Sequence, residues 1–318
     1  MNYQLFMQKY QPKLFCQFEI DDEIVDILQT LIKLDNMNIL FIGDVGSGKT
    51  SFVNALIREY YSFDKNYDSN ILHINSLKEQ GINYYRNDVK TFSQTCSGVV
   101  GKKKIVVIDD IDIINEQSQQ VFRNCIDKYN QNVHFVCSCT NSQKVIESIQ
   151  SRLVIIKIKS LSRPNLINIL HKIKVIEEIQ IEPDAEEFIL DICNNNAKIL
   201  INYMEKLKLI GGNITLSVVH SVCTNINFLS FNTYTNHLIN HEINHAIKII
   251  YSINDAGYSV IDILESYFLF VKTTKLLSEV QKYKIIPCIC KYITIFHNTH
   301  EHEIELSLLT NNLYSIFN

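Results

Sequence analysis

Gly43-x-x-x-x-Gly48-Lys49-Thr50 has the spacing at which a chain can wrap phosphate oxygens. The whole stretch reads Gly43, Asp44, Val45, Gly46, Ser47, Gly48, Lys49, Thr50, Ser51. Glycines let backbone N–H groups turn inward around an anion, and a helix opening there points its positive end at the same place. Lys49 is long enough to reach a β- or γ-phosphate, and the Thr50 hydroxyl can ligate Mg²⁺. Asp109 and Asp110 end the apolar run Ile105 to Ile108. An acid held on a buried stem beside a phosphate loop suits a Mg²⁺ ligand, which assigns Asp109 that part. Asp110 is placed to orient or deprotonate a water. Asn141 follows another apolar run and could hydrogen-bond that water or the γ-phosphate, although Asn after a strand is also a common turn former. Arg152, in Ile149-Gln-Ser-Arg152, stands before a strand, where an Arg is ordinarily a solvated charge. If a neighbouring subunit's γ-phosphate lies beyond it, it is an arginine finger in trans.

These residues need a scaffold, and the hydrophobic pattern supplies one. Runs at 38–42, 71–74, 105–108, 133–139 and 153–158 read as strands, with 38–42 and 133–139 buried. Helical spacing follows several of them: Phe52, Leu56 and Tyr60 after the glycine loop, then a helix over 81–92, then Val121, Phe122, Cys125, Ile126 and Tyr129. Strands alternating with helices predict a parallel sheet covered on both faces, with ligands bound outside the carboxyl ends of the strands. Gly43, Asp109 and Asn141 all fall at such ends. Upstream, Gln8 to Lys13 reads as extended because Pro12 resists a helix. Asp21, Asp22 and Glu23 open a helix with Ile24, Ile27, Leu28 and Leu31 on its apolar face. After Ser160 the strand pattern stops. Helices are expected over 163–179, 185–193 and 197–209, broken at Gly211-Gly212, and again from Phe228 onward. The expected division is a nucleotide-binding α/β domain over 1–160, a helical module over 161–227 and a second helical module over 228–318.

The 318 residues are 46% hydrophobic and 20% charged, with 9 Gly and 4 Pro, a globular balance. Net charge is −4, so contact with nucleic acid must come from a local groove. The 9 Cys show no disulfide-like framework and the start shows no signal-peptide pattern, which points to a reducing, intracellular compartment. Cys137-x-Cys139 and Cys288-x-Cys290 lack zinc-knuckle spacing. No apolar run reaches the length of a membrane span. Abundant Asn and Ile with no Trp read as coding bias in an A+T-rich genome.

The ordered set of Gln8-Lys-Tyr-Gln-Pro-Lys13, the glycine loop, Ile74-Asn-Ser-Leu-Lys-Glu-Gln-Gly-Ile-Asn-Tyr-Tyr-Arg86, Val107-Ile-Asp-Asp-Ile-Asp112, Cys139-Thr-Asn141 and Ile149-Gln-Ser-Arg-Leu153 resembles the small subunits of replication factor C. These are sliding-clamp loaders of eukaryotes, archaea and some large DNA viruses. The resemblance runs from Lys9 to about Leu209 and returns at Gly257-Tyr-Ser-Val-Ile-Asp-Ile-Leu264. It implies an AAA+ module, a helical lid and a helical collar that joins five subunits. The implied activity is ATP- and Mg²⁺-dependent opening of a ring-shaped clamp and its loading onto primer–template DNA, in the nucleus or at a viral replication site. It implies that Tyr10, Pro12 and residues 43–51 hold the nucleotide, with Thr50 and Asp109 on Mg²⁺. Asn141 would be the first sensor, Lys198 would stand at the lid's sensor position, and Arg152 would be the finger to a neighbour. Arg86 matches a position that touches the DNA backbone, with Lys90 one turn on to join it, although Arg86 is equally readable as a surface ion pair.

The departures matter. The family's glutamate after the Mg²⁺ acid is Asp110, one methylene shorter; its N-terminal Arg is Gln11; the Arg before its DNA-binding helix is Gln80. Lys198 replaces an arginine and cannot make a planar bidentate clamp. These departures bear on hydrolysis and not on ATP binding, and hydrolysis by the isolated chain is expected to be slow because its finger would come from elsewhere. An ATP-binding scaffold subunit, or another DNA-associated AAA+ ATPase, stands as the alternative. His297-x-x-His300-x-His302 reads as an exposed loop. Val99-Val100 is either a core pair or an apolar tip for a clamp.

Overall fold

The computed structural model describes residues 4–19, 22–61, 67–76, 82–193, 195–224, 226–296 and 299–317, apart from the side chains of Asp22, Asn75, Ile82, Asn83, Tyr85 and Arg86. The chain folds as two units, Met1–Asn168 with Asn195–Ile201, and Ile169–Asn194 with Asn202–Asn318.

The first unit opens with α1 (Phe6–Lys9) and α2 (Asp22–Lys33), followed by β1 (Ile39–Ile42), α3 (Lys49–Tyr60), β2 (Ile71–Asn75), α4 (Ile82–Gln94), β3 (Lys104–Asp109), α5 (Glu116–Tyr129), β4 (Val133–Cys139), α6 (Glu147–Gln150) and β5 (Val154–Lys157). All five strands are parallel, in the order β2-β3-β4-β1-β5. The central strands read as unbroken apolar runs because both faces are covered. Alternation then divides their side chains between two cores. Leu40, Val106, Ile108, Phe135 and Cys137 pack with Phe122, Cys125, Ile126 and Tyr129 of α5 on one face. Ile39, Phe41, Ile105, Val107 and Val136 pack with Phe52, Val53, Leu56, Ile57 and Tyr60 of α3 on the other. Each fully buried Leu or Phe contributes about 1.5–3 kcal/mol. This double anchoring is what holds the carboxyl ends of β1, β3 and β4 level.

Two local expectations are corrected. Gln8 and Lys9 belong to α1, and the non-helical segment starts only at Tyr10, because Pro12 constrains the residues beside it and not those a turn earlier. In α2, Leu28 is fully buried but Ile27 is 48% exposed, since a 100° step per residue carries it off the packed stripe. Val99 packs against the α3 core, while Val100 is fully solvent-exposed at the turn.

The second unit is helical. It takes in most of α7 (Arg163–Glu177), then β6 (Gln180–Ile181), α8 (Pro183–Ile192), the later turns of α9 (Ala197–Ile210), β7 (Asn213–Ile214), α10 (Leu216–Val222), α11 (Phe228–Ile239), α12 (Ile243–Asp255), α13 (Val260–Thr273), α14 (Glu279–Phe296) and α15 (Ile304–Phe317). The two-residue parallel pair β6–β7 is an addition to the all-helical expectation, too short to carry a period-2 signal. Phe228, Phe231, Tyr234, Tyr267 and Phe270 form an aromatic core among α11 and α13. Buried Tyr234 shares a 2.9 Å hydrogen bond with Thr310 of α15, and Tyr267 shares one of 3.3 Å with Thr235. No helix among the described residues is long and apolar enough to cross a membrane.

Candidate nucleotide-binding site

β1 delivers the glycine loop to the sheet edge, and the Gly43 amide donates to the Cys139 carbonyl at the end of β4 (3.3 Å). A Cβ at Gly43 would lie 2.6 Å from the Ile158 carbonyl oxygen, so the strand exit admits glycine alone. Gly46 and Gly48 have φ of +82° and +94°, the left-handed region that costs other residues most. Gly48 is the N-cap of α3, so the loop ends with the open amides of a helix start. Lys49 is buried, and its ammonium donates to the carbonyls of Gly43 (2.8 Å) and Asp44 (3.1 Å). The Asp44 carboxylate accepts from Ser160 (3.0 Å). Ser47 Oγ is buried with no hydrogen-bond partner among the described residues. A glycine cradle, a helix start, an ammonium at the mouth and an orphaned hydroxyl together fit a phosphate chain.

Beside the loop, Thr50 Oγ1 donates to Asp109 Oδ2 at 2.9 Å. Ser138, on β4, donates to the other oxygen, Oδ1, and accepts from the Asp110 amide (3.1 Å). Ser76 donates to the Asp109 carbonyl (2.5 Å). A hydroxyl and a carboxylate already in contact at the mouth of a phosphate loop are the oxygen donors a small hard cation takes, so this pair fits Mg²⁺. Asp110 sits at φ +53°, in the left-handed region, immediately after β3. Burial pushes its carboxyl above the usual carboxylate range, the charge of Asp109 and then that of Asp112 add to this, and Lys49 opposes it. Two neighbouring carboxyls thus sit in different environments at the end of β3, the arrangement that sets apart the proton affinities of such a pair.

Asn141, one strand over, caps the short turn after β4 by accepting from the Gln143 amide (2.9 Å). Its own amide and the amide and hydroxyl of Thr140 donate to Asp112 (3.0, 3.2 and 2.6 Å). Burial would raise the Asp112 carboxyl, but the bonds from Thr140 and Asn141 overcome it and hold the group ionised below its ordinary range. Lys49, Thr50, Asp109, Asp110 and Asn141 thus converge at one sheet edge. Arg152 does not. It lies before β5, at the amino end of the sheet, where Val154 is level with Ile39. It is held by Asp127 of α5 (2.5 Å) and the Ser148 carbonyl (2.6 Å), and the bond with Asp127 raises its already high pKa.

Tyr10 and Pro12 are half-buried, and Gln11 between them donates to Ser51 in the first turn of α3 (3.3 Å). Lys198 is exposed in the first turn of α9. Its amide donates to Asn196 Oδ1 (2.9 Å), and Asn196 Nδ2 donates to the Val45 carbonyl at the tip of the loop (3.0 Å). Lys90 is exposed on α4; Arg86 lies a turn earlier on that helix, with its side chain outside the described ones, and Gln80 and Gly81 lie outside the described residues. So does His297, while His300 and His302 are exposed and His302 caps α15 through the Ile304 amide (3.2 Å).

Sequence reading missed Ser138, Asp112 and Asn196. Ser138 carried a signal, the one hydroxyl in the mostly apolar and fully buried β4. Asp112 and Asn196 carried none, because polar residues after a strand or before a helix are ordinary turn and cap residues.

Residues 39–160 match the model of the AAA family, ATPases associated with various cellular activities. The chain is 32% identical over 219 residues to a replication factor C small subunit of Sulfolobus acidocaldarius, an alignment covering 69% of this chain and 66% of that protein, just under two thirds of its length. It is 27% identical to the replication factor C small subunit of Picrophilus torridus, covering 91% of this chain and 90% of the relative. It is 26% identical to replication factor C subunit 2 of Arabidopsis thaliana, covering 84% and 80%. Among solved structures, the Thermotoga maritima RuvB Holliday junction branch migration motor superposes with a TM-score of 0.53 at 13% identity over 77% of this chain and 85% of that one. A DNA polymerase III gamma subunit-related protein of the same organism superposes with a TM-score of 0.52 at 12% identity over 92% and 99%. At such identities the superpositions speak for the fold alone. The phosphate loop, the two acids at the end of β3, the parallel sheet and these sequence relatives agree, and the chain is a homologue of the replication factor C small subunits that carries an AAA domain.

Proposed function

We propose that the chain is an ATP-binding, ATP-hydrolysing small subunit of a clamp loader, an intracellular replication assembly that opens a ring-shaped sliding clamp and places it on primer–template DNA. The observation that carries this reading is the contact of Thr50 with Asp109 beside a phosphate loop in a chain whose relatives are replication factor C small subunits. In this reading residues 43–51 cradle the triphosphate and Thr50 and Asp109 hold Mg²⁺, which when bound offsets charge on the phosphates. Asp110 accepts a proton from the attacking water, Asn141 orients that water, and Gln11, Tyr10 and Pro12 close the adenine side against α3. Lys198 lies over the phosphates from the lid. Arg152 serves the nucleotide of an adjacent subunit in a hetero-pentamer, and Arg86 and Lys90 meet DNA phosphates. We take 161–227 as the lid and 228–318 as the collar.

A scaffold role with little hydrolysis is the second reading, favoured by Asp110 in place of glutamate and Lys198 in place of arginine. A branch-migration or origin-binding ATPase is less well supported, because α11 to α15 form a helical region without a winged-helix pattern. Affinity purification of the full chain from its own cell decides between clamp loading and its rivals. Sibling AAA subunits should co-purify, and a ring-shaped clamp should join them only with ATP; the Lys49→Ala chain should keep the siblings and lose both ATP and the clamp. Capture of neither sibling nor clamp by the wild-type chain would overturn the proposal.

A further inference from the structure

We propose that the turn between α11 and α12 is a zinc site, with His237, Glu242 and His245 as its three protein ligands. His237 closes the last turn of α11, Glu242 is the N-cap of α12, and His245 stands one turn further on. His237 Nδ1 lies 2.7 Å from Glu242 Oε2, and His245 Nδ1 lies 3.9 Å from the same oxygen. One ligand atom from each residue falls within 4.8 Å of the other two, the one such group of three among the described residues. Ligands at Zn–N and Zn–O distances of about 2.0–2.2 Å in a tetrahedron stand roughly 3.3 Å apart. The two His–Glu separations, 2.7 and 3.9 Å, lie on either side of that value.

The backbone is already set for it. The Glu242 amide donates to the His237 carbonyl (2.8 Å), and the Glu242 carbonyl accepts from the His245 amide (3.1 Å). His241 takes φ +61° to make the reversal, and its ring packs edge-on against Tyr314. The imidazoles of His237 and His245 stack at 5.4 Å, which presents both on one side of the turn. Two imidazoles and one carboxylate are the donor set of a borderline divalent ion, with a weak claim on Mg²⁺, which prefers oxygen. All three side chains reach solvent, so the ion would carry water in its fourth position while stapling α11 to α12. This site is independent of the nucleotide site and of the clamp-loading proposal.

The test uses the full chain, stripped of metal and kept reduced. Titration with Zn²⁺ should show a saturable equivalent that Mg²⁺ does not replace. His237→Ala and His245→Ala should each weaken it at least tenfold, toward the roughly 100-fold that loss of supporting groups costs such sites. A His300→Ala, His302→Ala double variant should bind as the wild type does. Co²⁺ in the same site should give the strong visible absorption of a four-coordinate ion, without the charge-transfer band that thiolate ligands produce. Should His237→Ala fail to fold, His245→Ala, the more exposed of the two, carries the comparison. Zn²⁺ binding that is absent, unchanged in the folded variants, or accompanied by the thiolate band overturns the proposal.

Discussion

Asp110 combines two properties that matter chemically, a left-handed backbone and a carboxyl pushed up by burial and by Asp109. A base must be deprotonated to take a proton, so hydrolysis should fall on the acid side as pH drops through a pKa above the ordinary carboxylate value of about 4. Asp110→Asn should remove that acid limb and reduce single-turnover hydrolysis in the assembled complex by about 10²–10⁴-fold, with ATP affinity changed little. Rates and affinities measured from pH 5 to 8 check this; an unchanged rate would leave Asp110 a spectator and favour the scaffold reading. Lys49 answers a different need. Its contacts with the Gly43 and Asp44 carbonyls give two of its three N–H donors partners at the mouth of the loop, which offsets part of the cost of burying a cation there.

At the scale of elements, the carboxyl edge of the sheet depends on keeping the segment after β3 and the segment after β4 in register. Gln119 of α5, buried to within 2% of its surface, joins them. Its amide nitrogen shares its two hydrogens among the carbonyls of Ile111 (3.3 Å), Ile114 (3.0 Å) and Lys144 (3.0 Å), and its oxygen accepts from the Ile146 amide (3.0 Å). One side chain thus satisfies the backbone on both sides of the Asp110–Asn141 pair. Gln119→Leu leaves those groups unpaired in a dry place, which costs about 1–3 kcal/mol for each one that water cannot reach. We expect a loss of about 2–4 kcal/mol in urea unfolding together with reduced hydrolysis. A neutral effect on stability would mean that the two segments hold themselves. α5 has a second task, because its Asp127 holds Arg152 at the opposite end of the sheet.

At the scale of the whole molecule, the sheet separates two kinds of residue. The carboxyl ends carry the loop, the acids and Asn141, and the amino end of β5 carries Arg152. A parallel sheet several residues deep keeps these ends apart, so Arg152 cannot serve the nucleotide of its own first unit. Arg152→Ala should leave ATP affinity of the isolated chain unchanged, while slowing turnover at one neighbouring site of the assembly by about 10³-fold or more. Equilibrium binding on the isolated chain and single-turnover hydrolysis in the complex measure the two halves. Weaker ATP binding by the isolated variant would place the arginine in cis. The same separation explains why hydrolysis by the chain alone should be slow.

The linear order of residues was enough for the loop, the acids and the parallel sheet, because each is written locally. Glycine spacing sets backbone freedom, apolar runs mark strands covered on both faces, and an acid after such a run must surface at a strand end. The resemblance to replication factor C rested on those same short stretches. What only the tertiary structure decided are the meetings of distant positions: Ser138 on Asp109, Asn196 on the loop tip, Gln119 between two turns, and His237 with His245 across a helix reversal. Apart from the lone hydroxyl in buried β4, none of these has a local signature. A polar residue looks alike in sequence whether it faces water or a buried carbonyl, and only the packing that excludes water gives it a partner.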